Sequence, residues 1–463
     1  MQTHFTIEQL RDPHLAEAEG IIQSCQHFGF CTATCPTYVL LGDENDGPRG
    51  RIDLMHAMLE KGGAPEAKTV GHIDRCLSCL ACMTTCAVRV DYMHLVDRAR
   101  VHIEQHYDRP WPERLLRALL ARVLPRPALL RLLLGAAHFM RGLASLLPGR
   151  LANLVAMSPR RLPDAGEDLR PGTYPAEGGR RHRVALLAGC AQRVLAPAIN
   201  AATVRLLNRH GCEVVVAPGA GCCGSLTLHM GCEAEAQAAA RRNLDAWTRE
   251  FDAGGLDAIL VNASGCGTTV KDYGHLFRHD SAYRDKAERV AALALDISEF
   301  LDRIGIAAPA TPLRHAVAYH DACSLRNAQR VTEQPRRLLA AAGFVVRDVP
   351  EAQLCCGSAG TYNLLQPGIA RQLGERKAVH VKSTGAGVLA VGNVGCMVQL
   401  ARHLASDSAF NSAHNGGLPV VHTVELLDWA TGGPRPAALD GVELEVLPPD
   451  ATDTASAASI GLW

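Results

Sequence analysis

Neither sign of charge predominates in this chain: Lys+Arg and Asp+Glu both total 47 in 463 residues. A polypeptide that coats nucleic acid carries a basic excess, so no nucleic-acid partner is expected. Long uncharged apolar runs are also missing. The Leu-rich stretch 112–157 is broken by Arg117, Arg122, Arg126, Arg131 and Arg141 and by Pro125 and Pro127, and its longest charge-free run is Leu132–Met140. A membrane-crossing helix needs about 18 nearly uncharged residues, so short amphipathic helices are expected there instead. They would pack on a neighbouring domain, with peripheral contact to the inner face of the cytoplasmic membrane as the alternative. The opening MQTHFTIEQLRDPHLAEAEG lacks an apolar segment of secretory length, and a reducing, cytoplasmic setting is expected. A Gly-rich dinucleotide fingerprint is absent too, since GAGCCG at 219–224 has the wrong spacing and is filled with cysteine. Apolar residues at 48% and charged residues at 20% leave ample core and exclude disorder over the whole length.

What the chain does have is 17 cysteines, an odd number too sparse for a small disulfide scaffold. They fall in blocks, with none in 87–189 and none after 432. CLSCLACMTTC at 76–86 is C-x2-C-x2-C-x3-C. Three thiolates on a tight loop reach three irons of a cubane, and the fourth cysteine serves a second cluster. Zinc competes for such pairs, but a related run upstream favours iron–sulfur. That run, CQHFGFCTATCP at 25–36, has Phe28 where a complete motif would have cysteine. Exchange of fourth ligands gives one [4Fe–4S] cluster on Cys35, Cys76, Cys79 and Cys82. The other site has Cys25, Cys31 and Cys86, with the ligand position at Phe28 vacant. Its states are a [3Fe–4S] cluster, a four-iron cluster with water or a side chain such as His27 on the odd iron, or an empty or labile site; a three-iron or labile cluster is favoured. Arg49 and Arg51, at the head of an amphipathic helix, either offset cluster charge or lie on the surface.

Residues 158–182 are rich in Pro, Gly and charge and read as a linker. Beyond them strands alternate with helices, as in parallel α/β layers. RVALLAG is a strand, LAPAINAATVRLLNRHG a helix, and CEVVVAP and DAILVNASG are further strands. The pattern repeats after about 130 residues, LCCGSAG matching GCCGSLT and GVLAVGNVGC matching AILVNASGC. Each copy carries a cysteine set: Cys190, Cys222, Cys223 and Cys266, then Cys323, Cys355, Cys356 and Cys396. Each cysteine lies at or after a strand end, where α/β sheets place functional groups. The sets suit an iron–sulfur cluster, zinc or disulfide exchange. The glycine after each pair permits close backbone approach to a ligand. Cys212 and Cys232 have no counterparts and are expected in the core. His320, Asp321, Asn262 and Asn393 are candidate supporting groups.

Two ferredoxin-type runs followed by duplicated Cys-Cys-Gly blocks resemble the iron–sulfur subunits of glycolate oxidase (glycolate dehydrogenase) over about 20–430. The stretches that carry the likeness are 29–52, DRCLSCLACMTTC, NASGCGTTVKDYGHLFRHD and YHDACSLRNAQ. More broadly the chain is similar to subunits of anaerobic glycerol-3-phosphate dehydrogenase, lactate-utilisation complexes and heterodisulfide reductase. The resemblance implies an α+β multidomain protein. A helical ferredoxin domain (1–110) and Leu/Arg-rich helices with a linker (111–182) precede two α/β Cys-Cys-Gly domains (183–312 and 313–432) and a flexible tail (433–463). It further implies an FAD-containing partner that oxidises glycolate to glyoxylate. This chain, not itself catalytic toward glycolate, would pass electrons to an acceptor, quinone being the first choice. A related lactate or glycerol-3-phosphate dehydrogenase and a thiol–disulfide reductase are the alternatives. The sequence departs from the family pattern at Phe28, at Ala87 in place of proline, and in ending each Cys-Cys-Gly block with a single cysteine.

Overall fold

A computed structural model describes residues 1–140, 163, 169–309, 313–405 and 417–448. The amino-terminal region is helical. Pro13–Ser24 (α1) starts where the Asp12 carboxylate accepts from the His14 amide, and Pro48–Lys61 (α2) starts on a first-turn proline. With Ala67–Asp74 (α3) and Tyr92–His106 (α4), these helices bury Ile22, Met55, Leu59, Ile73, Leu95 and Ile103 in one core. Trp111–Val123 (α5) and Pro127–Met140 (α6) follow. They realise the short amphipathic helices expected from 112 onward; the part of that stretch beyond 140 lies outside the described residues. Arg117 of α5 is buried because Asp74 and Glu113 pair with it at 3.1 and 3.0 Å.

Two sheets come next. In the first, Gly172–Tyr174 (β1), His182–Leu186 (β2), Cys212–Val216 (β3), Ala258–Val261 (β4) and Ala294–Asp296 (β5) are ordered β1-β3-β2-β4-β5. All pairs are parallel except β1 with β3. Strand β1 falls in the stretch expected to be a linker; it caps the sheet edge with Tyr174 opposite Val214. Ala198–Arg209 (α7), Glu233–Gly254 (α8), Ser264–Lys271 (α9) and Ile297–Ile304 (α10) are the crossover and closing helices.

The second sheet repeats the order without the edge strand. Ala316–His320 (β6), Val345–Asp348 (β7), Val388–Val391 (β8) and Val420–His422 (β9) run parallel as β7-β6-β8-β9. Its helices are Glu333–Ala341 (α11), Pro367–Ser383 (α12), Val394–Leu404 (α13) and Thr423–Ala430 (α14). The two units share one core. Helix α7 packs on α14 and α10 on α11, so the first helix of each copy meets the last helix of the other. At the α7–α14 seam the buried Asp428 carboxylate receives Arg205 at 2.6 Å and also Arg209. Residues 433–448, expected to be loose, are held: Leu439 is fully buried and Val446 bridges to His315.

The helical region is fastened to the first α/β unit through a stacked histidine pair. His94 of α4 reaches Asp272 at 3.0 Å and Asp91 at 2.6 Å, and its ring lies on that of His275 with centroids 3.4 Å apart. His275 in turn contacts Glu17 of α1 at 2.7 Å, and Arg278 pairs with the same carboxylate. Burial alone would lower the His94 pKa, but the two carboxylates raise it to about 10. His275 is lowered by its own burial and then by the charge of His94, so the stack carries one proton charge. A folded-state pKa above the unfolded value of 6.5 gives stability that is complete below that pH and lost as pH rises toward about 10. The amount is of the order of a few kcal/mol. Urea titrations between pH 6 and 10 are expected to show this decline, and His94→Gln to flatten it.

Candidate functional site

Two left-handed residues, Ser78 (φ 49°) and Leu80 (φ 58°), fold residues 76–82 into a loop that turns its thiols inward. Cys76, Cys79 and Cys82 line a small internal cavity with Cys35, which precedes a short helix at Pro36–Leu41. The four cysteines assigned together from spacing are therefore neighbours in space. Arg51 of α2 is fully buried beside them. It donates to the His72 carbonyl at 2.8 Å and to Thr37 Oγ1 at 3.0 Å, and its Nη1 lies 3.8 Å from Cys35 Sγ. Arg100, which the sequence did not single out, donates to the Cys76 carbonyl at 2.7 Å and to Ser78 Oγ at 2.6 Å. Burial alone would raise the Cys76 thiol, but Arg51 and Arg100 bring it below its ordinary value. Cys79 and Cys82 carry no such compensation, and burial and neighbouring thiols push both well up. Arg49 has the other fate weighed for it: it pairs with Glu44 at 2.7 Å on the surface.

Cys31 lies near Cys25 and Cys86, and burial with these neighbours raises its thiol to about 11. The Cys86 sulfur accepts from the Val90 amide at 3.4 Å. Phe28 is 60% exposed, against Phe30. His27 Nε2 faces Asp53 at 3.4 Å.

In the first α/β unit Cys190 follows β2, Cys222 and Cys223 follow β3, and Cys266 sits in the first turn of α9 after β4. The strand order reverses at β2, so these are carboxyl ends around the switch point of the sheet. The thiols act on one another in the order Cys190, Cys222, Cys223 and Cys266, with Cys222 drawn far below its ordinary value by Cys190 and Cys223. Asn243 and Tyr273 grip the Cys222 and Cys223 carbonyls at 3.0 and 2.8 Å. Asn262 instead bonds Gln192, Asn200 and Thr203 in a buried polar cluster.

The second unit repeats this with Cys323, Cys355, Cys356 and Cys396. Cys323 and Cys355 sulfurs are 3.7 Å apart, and Asn393 donates to Cys396 at 3.4 Å. Asp321 is engaged elsewhere, in a two-pronged pair with Arg336. His320 is different. It is buried, its Nε2 has no hydrogen-bond partner, and it lies within 4.8 Å of the Cys356 and Cys396 sulfurs. Burial and then Lys377 lower its pKa to about 3, which keeps the imidazole neutral. The first unit has Leu187 at the matching position. Lys377 has a counterpart in Asn243, each seven residues beyond the alanine that its glycine meets. The two sites thus share a cysteine pattern and differ in their surroundings.

The unmatched cysteines divide: Cys212 is fully buried in β3, while Cys232 is half-buried at the start of α8. The glycines after the Cys pairs are required by the fold. Gly224 (φ 90°) and Gly357 (φ 87°) are left-handed, and a Cβ there would meet Ala236 O at 2.8 Å and Ala370 O at 2.5 Å. Each amide donates back to the first thiol of its pair at 3.4 Å.

The thiol sets are contiguous. Cys79, Leu77, Cys355, Tyr362 and the half-buried Cys323 belong to one apolar cluster, and Asn327 donates to the Cys79 carbonyl at 2.9 Å. Both α/β cysteine sets border a shared chamber of about 480 Å³, which Cys76 also lines. Gly357→Ala is expected to cost about 2–4 kcal/mol from left-handed strain and overpacking. Thermal unfolding of the variant checks this.

Family models match at both levels. A 4Fe-4S dicluster domain matches residues 24–91, and a cysteine-rich domain matches twice, over 184–271 and 317–401. The glycolate oxidase iron-sulfur subunit of Escherichia coli is 43% identical over 93% of this chain and 99% of its own length. A probable glycolate oxidase iron-sulfur subunit of Bacillus subtilis is 31% identical over 89% and 95%. Lactate utilization protein A of Shouchella clausii is 28% identical over 47% of this chain and 89% of its own length. A hypothetical protein from Helicobacter pylori shares the fold, with a TM-score of 0.54 at 9% identity over 95% of this chain and 77% of that one. The dicluster region, the paired cysteine-rich domains and the full-length similarity together make this chain a member of the glycolate oxidase iron–sulfur subunit family.

Proposed function

We propose that this chain is the electron-carrying subunit of a flavin-dependent glycolate oxidase. It takes electrons from an FAD-containing partner that converts glycolate to glyoxylate and delivers them to a quinone. The observation that carries this reading is the contiguity of the thiol sets, from the dicluster loops through Cys79 into Cys323 and Cys355. Similarity over nearly the whole chain supports glycolate rather than lactate, since the lactate-utilisation relative matches only about half.

The residues present fit iron–sulfur clusters. Cys35, Cys76, Cys79 and Cys82 would hold one [4Fe–4S] cluster, which supplies one-electron redox chemistry when bound. Arg51 and Arg100 offset the negative charge of its thiolates, and Tyr92 OH, 3.7 Å from Cys76 Sγ, supports a sulfur ligand. Cys25, Cys31 and Cys86 would hold the second. Phe28 has no donor, which supports three cysteine ligands and a three-iron or labile cluster. The cysteine-rich sites would each take a cluster or zinc on their four thiols. The unpartnered, neutral His320 would be an additional ligand in the second.

Anaerobically purified protein is expected to contain iron and sulfide, by chemical analysis, with Cys76→Ser losing one cluster's share. Zinc without iron would end the proposal. Phe28→Cys should raise the iron content and remove any oxidised-state three-iron EPR signal. Arg51→Gln should make the reduction potential of the Cys35–Cys82 cluster more negative in an EPR-monitored titration, because a buried cation stabilises the reduced form. The flavoprotein without this chain should bind flavin yet fail to reduce the native acceptor.

A further inference from the structure

We propose that the chamber between the two cysteine-rich sites binds the ring of an isoprenoid quinone, with His229 holding one of its ring oxygens in the reduced form. This rests on the quinone reading above and places the acceptor in this chain rather than in a partner.

The chamber has two characters. Its inner end is formed by cysteines of both α/β units. Its outer wall is leucine: Leu116, Leu119, Leu120, Leu130, Leu133 and Leu134 of α5 and α6. Those residues account for helices that would otherwise have no evident task. Leu120 and Leu130 are buried, whereas Leu119 and Leu133 line the chamber yet remain 41% and 44% exposed, which places its mouth between the two helices. The outward side of the same helices is also apolar. Trp111 is 70% exposed, Leu132 72% and Phe139 86%, and none of them lines the chamber. No described helix is long and apolar enough to cross a membrane. An amphipathic pair with apolar residues outside and an apolar mouth within suits a helix pair lying in the lipid interface. The ligand that such a mouth admits is itself lipid-soluble. One that must also meet redox-active thiol sites at the inner end is a lipid-soluble electron carrier.

His229 supplies the polar contact. It lines the chamber just beyond the Cys222-Cys223-Gly224 turn, and its Nδ1 is held 3.4 Å from the half-buried Asp97 carboxylate. Asp97 is itself near Arg100, at 3.6 Å. With Nδ1–H donated to Asp97, Nε2 is the nitrogen left to face a ligand, and it accepts from a ring hydroxyl as the quinone is reduced.

The step balances as follows. The quinone gains two electrons, one at a time, and two protons, and both C=O groups become C–OH. The electrons are the pair that oxidation of glycolate leaves on the partner's reduced flavin. Both protons come from water, which reaches the part-exposed His229.

The test uses the intact complex and an azido-ubiquinone with a short isoprenoid tail. After illumination, label is expected on peptides of this chain covering 111–140 or 222–230. His229→Phe should raise the KM for the short-chain quinone about tenfold, the loss of one hydrogen bond. Leu133→Glu at the half-exposed mouth should reduce labelling several-fold. Iron content equal to wild type shows in each case that the chain has folded. Label confined to the flavoprotein, with quinone still reduced, would overturn the site and leave the acceptor reading standing. A complex that reduces a dye but never a quinone would overturn the acceptor reading itself.

Discussion

Thiolates gathered in a protein interior must be neutralised, and the structure is arranged around that requirement. A buried thiol resists ionisation, as the raised values of Cys79, Cys82, Cys323, Cys355 and Cys356 illustrate. Four of them at one place are tolerable only if a cation takes up the charge. A metal would do this within each set. Protein cations extend it outward: Arg51 and Arg100 at the dicluster loops and Lys377 at the second sheet. The burial of Arg51 is intelligible on the same ground, for a guanidinium so enclosed needs Asp46, Thr37 and the His72 carbonyl as well as sulfur around it.

Duplication made two cysteine sites with one backbone design. Each has a left-handed glycine pressed against the following helix, a thiol pair behind it, and a last cysteine in the first turn of a helix. Divergence then changed their electrostatics. Leu187 and Asn243 in the first site stand where His320 and Lys377 stand in the second. Added positive charge and imidazole ligation both raise reduction potentials. The site that touches the dicluster region is the one so modified.

Much of this was legible in the chain itself. The C-x2-C-x2-C-x3-C run specifies its loop because spacing is a property of the local backbone. The upstream partner Cys35 was found by the same rule. The strands after Leu186 were visible as short apolar runs and the repeat as matched segments. Less visible were β5 and β9, three residues each. Their signal was present downstream: ALDISEFL and VVHTVELL both end a strand in a helix cap closed by Glu299 or Glu425 three residues on. Edge strand β1 was hidden because residues 158–182 are locally turn-like, and only the exposed side of β3 gives Gly172–Tyr174 a partner. The motif VKDYGH marked the family by resemblance; its role, Tyr273 on a cysteine carbonyl and Asp272 and His275 on the helical region, needed the fold.

The sequence alone determined which cysteines group within a block, because ligand spacing is written in consecutive residues, and it determined the duplicated α/β pattern, because strand and helix periodicities are local. Only the tertiary structure decided which groups meet across blocks: Arg100 at Cys76, His320 at Cys356, Cys79 against Cys355, and a leucine-walled chamber between two cysteine sites. Those contacts join residues from tens to hundreds of positions apart, and they exist only once two sheets and a helical domain have buried their apolar faces against one another.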